Sequence, residues 1–174
     1  MLLIGFAGAF RRSELVSLDV DDAQFTQDGL VVTLRRSKTD QEGAGRKVGL
    51  PYGSHPITCP VRALRAWLEN ASITRGPIFR YVDRHGNVGP HRLTDQVVAL
   101  VVKRCAMNAG LDAARYAGHS LRAGLATAAA EADVSERSIM AQTGTSPFPW
   151  SAAISARARC SRRMPRRRSG CSPP

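Results

Sequence analysis

The stretch Tyr116-Ala117-Gly118-His119-Ser120-Leu121-Arg122-Ala123-Gly124 fixes where one helix has to begin. A turn-prone run passes there into an alanine-rich segment that reads as helix to about residue 132, with His119 or Ser120 at the N-cap position. The first turn of such a helix carries N–H groups without intrahelical partners and the positive end of a dipole, so it receives anions. His119 and Arg122 are three apart and share one side of that turn, a proton donor beside a permanent cation with a fork of donors. The pair suits a phosphate group. An isolated H-x-x-R is more often a capping histidine beside a solvated charge, so the rest of the chain has to decide.

Taken in order, residues 1–10 form an unbroken apolar run with no start signal before it, as expected for a chain that begins inside a helix of a longer parent. No charged segment precedes the run and it is far too short to span a bilayer, so we expect a core helix of a cytoplasmic protein. Ser13-Glu14-Leu15-Val16-Ser17-Leu18 reads as a second short helix capped by Ser13, which leaves Arg11 at the helix junction. Residues 24–26, a turn at Gln27-Asp28-Gly29, the β-branched run 30–34 and a returning strand at 47–50 predict a small antiparallel sheet. Between its strands, residues 35–46 are polar and glycine-containing and predict a mobile hairpin loop carrying Lys38.

After a connector at 51–60, Val61, Leu64, Trp67 and Leu68 recur at helical spacing behind Cys59-Pro60. Turn signals at Gly76-Pro77 and Arg84-His85-Gly86-Asn87 flank a short Ile78-Phe79 segment, and His85 and His91 read as exposed loop residues without chemistry. Thr94-Asp95 opens a helix whose Val97, Val98, Leu100, Val101, Val102 and Cys105 are expected to bury a wide arc before Asn108-Ala109-Gly110 ends it. A last helix is expected at 135–142. The fold class is therefore α+β, mostly helical, with one small sheet.

Charge separates the chain into two parts. Residues 1–144 hold 18 basic and 14 acidic residues, whereas 145–174 hold seven arginines and no acid. The first part is a domain of moderate positive charge, which fits a nucleic-acid partner without identifying one. The second, with its prolines and patternless arginines, reads as a basic disordered tail. Cys59, Cys105, Cys160 and Cys171 show no C-x-x-C spacing, so neither a zinc site nor a disulfide framework is expected.

Arg11, Lys38, His119 and Arg122 together suit phosphoryl transfer without metal, since two guanidinium forks hold non-bridging oxygens while lysine and histidine move protons. No acidic cluster suited to magnesium accompanies them. Arg11-Arg12-Ser13-Glu14-Leu15, the hairpin Lys38, His119-Ser120-Leu121-Arg122 and Gln142-Thr143-Gly144, in that order and spacing, resemble the catalytic domain of the tyrosine recombinases, or phage integrases, over residues 1–144. The resemblance implies site-specific DNA recombination or integration. Arg11 and Arg122 would clamp the scissile phosphate, Lys38 would protonate the leaving 5′ oxygen, His119 would assist proton transfer and Glu14 would support the site. It also implies a double-stranded DNA partner, a homo-oligomer on that DNA, no cofactor, no membrane, and a DNA-clamping domain ahead of Met1.

The family's nucleophilic tyrosine is expected about nine residues after a histidine or tryptophan that follows Gly144. This chain has Thr145-Ser146-Pro147-Phe148-Pro149-Trp150 there, and its tyrosines are Tyr52, Tyr81 and Tyr116 only. Tyr116 precedes the helix and reads as a packing residue. The chain as written is thus expected to bind DNA without cleaving it, either as a recombinase domain that has lost its nucleophile or as a DNA-binding remnant that occupies recombination sites. The arginine, proline, serine and alanine bias after Gly144 is what an out-of-frame GC-rich stretch encodes. Shifted back by one base, the codons of Thr145 and Ile154 permit histidine and tyrosine, nine codons apart.

Overall fold

A computed structural model describes residues 1–35 and 45–144. The chain divides into the units Met1–Leu125 and Ala126–Pro174. The first unit starts with two short helices, α1 (Leu2–Ala7) and α2 (Arg12–Ser17), and a 3₁₀ turn at Val20–Asp22. Strands β1 (Ala23–Phe25), β2 (Gly29–Leu34) and β3 (Arg46–Pro51) follow as one antiparallel sheet in the order β1-β2-β3. Then come α3 (Pro60–Asn70), a hairpin of β4 (Arg80–Val82) and β5 (Val88–Arg92), α4 (Asp95–Asn108), a 3₁₀ turn at Ala113–Arg115, and α5 (Ser120–Glu131), which crosses into the second unit. In that unit α6 (Glu136–Thr143) is capped by Ser135 Oγ, which accepts from the Ser138 N–H, and ends on Gly144 in the left-handed region.

The expected α+β class is found, and each element follows from local chemistry. Period-two alternation buries Leu30, Val32 and Leu34 of β2 against Leu50 and Val48 of β3, their register partners. Gly29 is obligatory at the turn into β2, because a Cβ there would stand 2.1 Å from the Leu50 carbonyl oxygen. Pro60 at the start of α3 has no N–H to satisfy, Val61 and Leu64 enter the core, and Trp67 Nε1 donates to the Ile78 carbonyl at 2.8 Å. These side chains join Ile4, Phe10, Leu15, Leu18, Phe79 and Val98 in one apolar core.

Three expectations need correcting. The N-cap of α2 is Arg11, and Ser13 lies inside the helix, because Glu14 reaches back to the Arg11 N–H and makes a serine cap unnecessary. The Ile78-Phe79 segment leads into β4, and β5 pairs with it, which puts His91 on a strand, still exposed. Gly89 and Pro90 masked that strand in the sequence. Helix α4 buries only Val98, Val102 and Ala106, whereas Leu100 is 65% exposed and Cys105 is exposed. An apolar run spreads around a helix faster than a core can cover it, so one stripe at i, i+4, i+8 is all that is buried.

Among the described residues no helix is long and apolar enough to cross a membrane, and no cluster of histidine, cysteine and acidic side chains could hold a metal ion. Lys38 and the 145–174 segment lie outside the described residues.

Candidate functional site

The site begins with how α1 ends. The Ala9 N–H donates to the Phe6 carbonyl and the Phe10 N–H to the Gly5 carbonyl, and Ala9 takes φ +49°. This is a Schellman closure with alanine at the left-handed position usually given to glycine. It turns the chain sharply, so that Arg11 starts α2 close to the end of α1. Gly5 allows the first turn of α5 to seat on α1, since a Cβ there would meet Leu121 Cδ1 at 2.7 Å. Gly118 does the same for the preceding turn, which lies on the Arg12 side chain.

Within this frame Glu14, 4% exposed, binds Arg11 twice: Oε2 accepts from the Arg11 N–H at 2.8 Å and Oε1 from Nη1 at 2.5 Å. The carboxylate thereby caps α2 and holds the Arg11 guanidinium, which keeps about a quarter of its surface in solvent, 26%. Burial alone would raise the Glu14 pKa, but the Arg11 N–H, the Arg11 guanidinium and the charge of Arg122 outweigh it and hold it below its ordinary value.

Arg122, on the first turn of α5, is half-buried and donates from Nη1 to the Ala9 carbonyl at 3.0 Å. Its Nη2 is buried and has no hydrogen-bond partner among the described residues. Burial, then the charge of Arg11, and more weakly that of Arg46, lower its pKa to about 10 against the favourable pull of Glu14. Arg122 therefore stays charged at neutral pH, held among like charges with a donor in reserve.

His119 is exposed and immediately precedes α5, where its carbonyl accepts the first helical bond from the Ala123 N–H at 3.0 Å. Of the two residues expected at the N-cap, His119 holds the position. Ser120 Oγ instead turns back to accept from the Ala117 N–H at 2.9 Å. Thus Arg11, Glu14 and Arg122 come together, His119 shares the first turn with Arg122, and Lys38 falls outside the described residues. On either side of the segment that carries Lys38, Leu34 pairs with Arg46, and Arg35 Nε binds the buried Asp22 carboxylate at 2.5 Å.

One charged group of this cluster escaped the sequence reading. Arg46, the first residue of β3, lies within electrostatic reach of Glu14, Arg11 and Arg122. A signal for it exists, because Arg46, Val48 and Leu50 alternate, and period two puts an arginine on the face those apolar residues bury. Reading 35–46 as one polar loop hid it.

A model of the phage integrase family matches residues 1–146. An integrase/recombinase xerD homolog of Selenomonas ruminantium is 47% identical over 143 residues, which are 82% of this chain and 42% of that protein. Among solved structures, the XerH site-specific recombinase in a post-cleavage complex with a palindromic difH substrate aligns with a TM-score of 0.68 at 16% identity, over 92% of this chain and 42% of that one. The XerA recombinase aligns at 0.62 and 17% identity, over 94% and 56%. The Tn1549 transposon integrase bound to transposon right-end DNA aligns at 0.60 and 18%, over 94% and 58%. These structural likenesses establish the fold. This chain spans less than half the length of its Selenomonas relative, and with its family model covering residues 1–146 it belongs to the phage integrase family.

Proposed function

We propose that this chain carries the phosphate-binding core of a site-specific DNA recombinase, in which Arg11 and Arg122 clamp the scissile phosphodiester of double-stranded DNA. The observation that carries the reading is the pairing of a carboxylate-held, part-exposed Arg11 with a half-buried Arg122 at the N-terminus of α5, whose Nη2 is sealed and lacks a hydrogen-bond partner among the described residues. Three anion-directed donors support it: two guanidinium forks and a helix N-terminus. In the intact reaction a tyrosine oxygen bonds to phosphorus as the phosphorus–O5′ bond breaks, and the leaving O5′ takes a proton from Lys38, with His119 assisting proton transfer. The 3′-phosphotyrosyl linkage conserves bond energy until a second strand's 5′ hydroxyl reverses it. The partners are double-stranded DNA and further copies of the recombinase on that DNA.

The chain as written has no tyrosine after Tyr116. Tyr52 is engaged by Arg65, whose Nη2 donates to its hydroxyl, and by Arg62 over its ring, while Tyr81 is exposed on β4 and Tyr116 follows a 3₁₀ turn. The absent tyrosine favours a second reading, a DNA-binding form that occupies recombination sites without cutting. A nicked suicide duplex separates the two: bound but denaturant-sensitive complex is expected, and a denaturant-resistant adduct mapped to Tyr116 would restore catalysis to this chain. Reading the bases that encode 145–155 decides the origin of the tail. A neighbouring frame with tyrosine opposite Ile154 is expected, and its absence would make the tail a genuine sequence.

A further inference from the structure

Residues 113–118, which lead into His119, make hydrogen bonds only within their own segment among the described residues. The Ala114 N–H donates to Asp112 Oδ1, the Arg115 N–H to the Asp112 carbonyl, the Tyr116 N–H to the Ala113 carbonyl and the Ala117 N–H to Ser120 Oγ. Such a segment keeps its own shape, but side-chain packing has to fix it against the rest of the unit. Gly118 is buried although His119 beside it is exposed. A Cβ on Gly118 would stand 2.8 Å from Arg12 Cδ, 3.5 Å from its Cβ and 3.6 Å from its Cγ, so the aliphatic stem of Arg12 lies along this glycine. The head of Arg12 is tied elsewhere: Nε binds Asp95 Oδ2 at 3.0 Å, in the first turn of α4. Both side chains of that pair are substantially exposed, and such pairs add little to stability. The pair's consequence is orientation, because with the guanidinium tied to α4 the stem is the part that meets the turn.

We propose that Arg12 is a positioning residue of the phosphate site, whose stem sets the turn carrying His119 at a fixed distance from Arg11. This rests on the reading of that site as phosphate-binding. Arg11 and Arg12 are consecutive at the start of α2, so the guanidinium that meets the phosphate and the stem that supports the His119 turn share one piece of backbone. Asp95 engages the Arg12 guanidinium at α4, and Arg12 therefore acts through the turn and not on the phosphate. Proton transfer needs its donor within hydrogen-bond reach, and a displacement of about 1 Å is enough to cost about a hundredfold in rate. Gly118 is the other half of the device. The Arg12 stem cannot swing away from a side chain at 118 without giving up Asp95, so an added Cβ lifts the turn instead.

The test titrates the 174-residue chain with orthovanadate while following the ring resonances of its four histidines and the Arg122 Nε–H. In the unaltered chain His119 and Arg122 are expected to shift with one binding constant, and His85, exposed between β4 and β5, to stay still. Arg12→Ala and Gly118→Ala are each expected to cut the His119 shift at least about threefold while Arg122 still responds and affinity falls by less than about threefold. Arg12→Lys, which keeps a long stem and the charge for Asp95, is expected to restore the His119 shift. A role in folding alone would leave the ratio of the His119 response to the Arg122 response unchanged. If His119 responds fully in either alanine variant, or if Arg122 responds in the unaltered chain while His119 does not, the role of Arg12 is overturned and the phosphate site stands. If neither residue responds, the phosphate reading itself is overturned and the proposal falls with it. Should Arg12→Ala fail to fold, Gly118→Ala, which leaves every charge in place, decides alone.

Discussion

Arg122 donates from Nη1 to the carbonyl of Ala9, 113 positions earlier in the chain, at 3.0 Å. Ala9 offers that carbonyl because it sits at φ +49° with no exposed surface, a conformation that costs an alanine about 1 kcal/mol. Ala9→Gly releases this strain but loses a buried methyl, worth about 0.8 kcal/mol, so urea unfolding is expected to change by less than about 0.5 kcal/mol. Ala9→Val, β-branched and without room, should cost more than about 2 kcal/mol. Equal tolerance of both would mean that the left-handed turn is not there.

Glu14 makes stability depend on acid. Its folded pKa lies below the ordinary 4.5, so between the two values the unfolded chain binds more protons than the folded one. The stabilisation is complete above the unfolded value and is lost as pH falls through the folded one. Chemical unfolding of the unaltered chain should weaken across that acid window, and Glu14→Gln should flatten this dependence while losing about 3 kcal/mol at neutral pH. An unchanged acid slope in the variant would remove the buried carboxylate from the account.

The rotation of α4 is open to a simple comparison. Val98→Ala, at a site with no exposure, is expected to cost about 2 kcal/mol, while Leu100→Gln, at 65% exposure, should stay within about 0.5 kcal/mol. The reverse order would restore the wide buried arc that the sequence suggested.

How much of this was legible in the sequence depended on the range of the interaction. Helix α3, the β2–β3 pair and the start of α5 follow from local signals, namely Pro60, strand alternation and the turn before His119. The pairing of α2 with its Glu14 cap was half legible: R-x-S-E-L marked both residues, but only the folded chain has Arg11 rather than Ser13 at the helix start. Strand β5 was hidden by Gly89 and Pro90, and the exposure of Leu100 by a composition that does not say where the core stops. Arg46 was hidden because residues 35–46 read as one polar loop, although its alternation with Val48 and Leu50 marks the face that β3 buries.

The most direct measurement is a double-substitution cycle on Arg11 and Arg122, read as affinity for a short DNA duplex and for orthovanadate. Arg11→Ala and Arg122→Ala should each weaken both ligands at least about tenfold, and the double variant should lose clearly less than the product, because both arginines hold one phosphate. Arg75→Ala and Arg104→Ala, which remove exposed cations elsewhere, should lose no more than about threefold on DNA and nothing on vanadate. Equal losses at all four positions, or independent losses at Arg11 and Arg122, would contradict a single phosphate site built from the start of α2 and the first turn of α5.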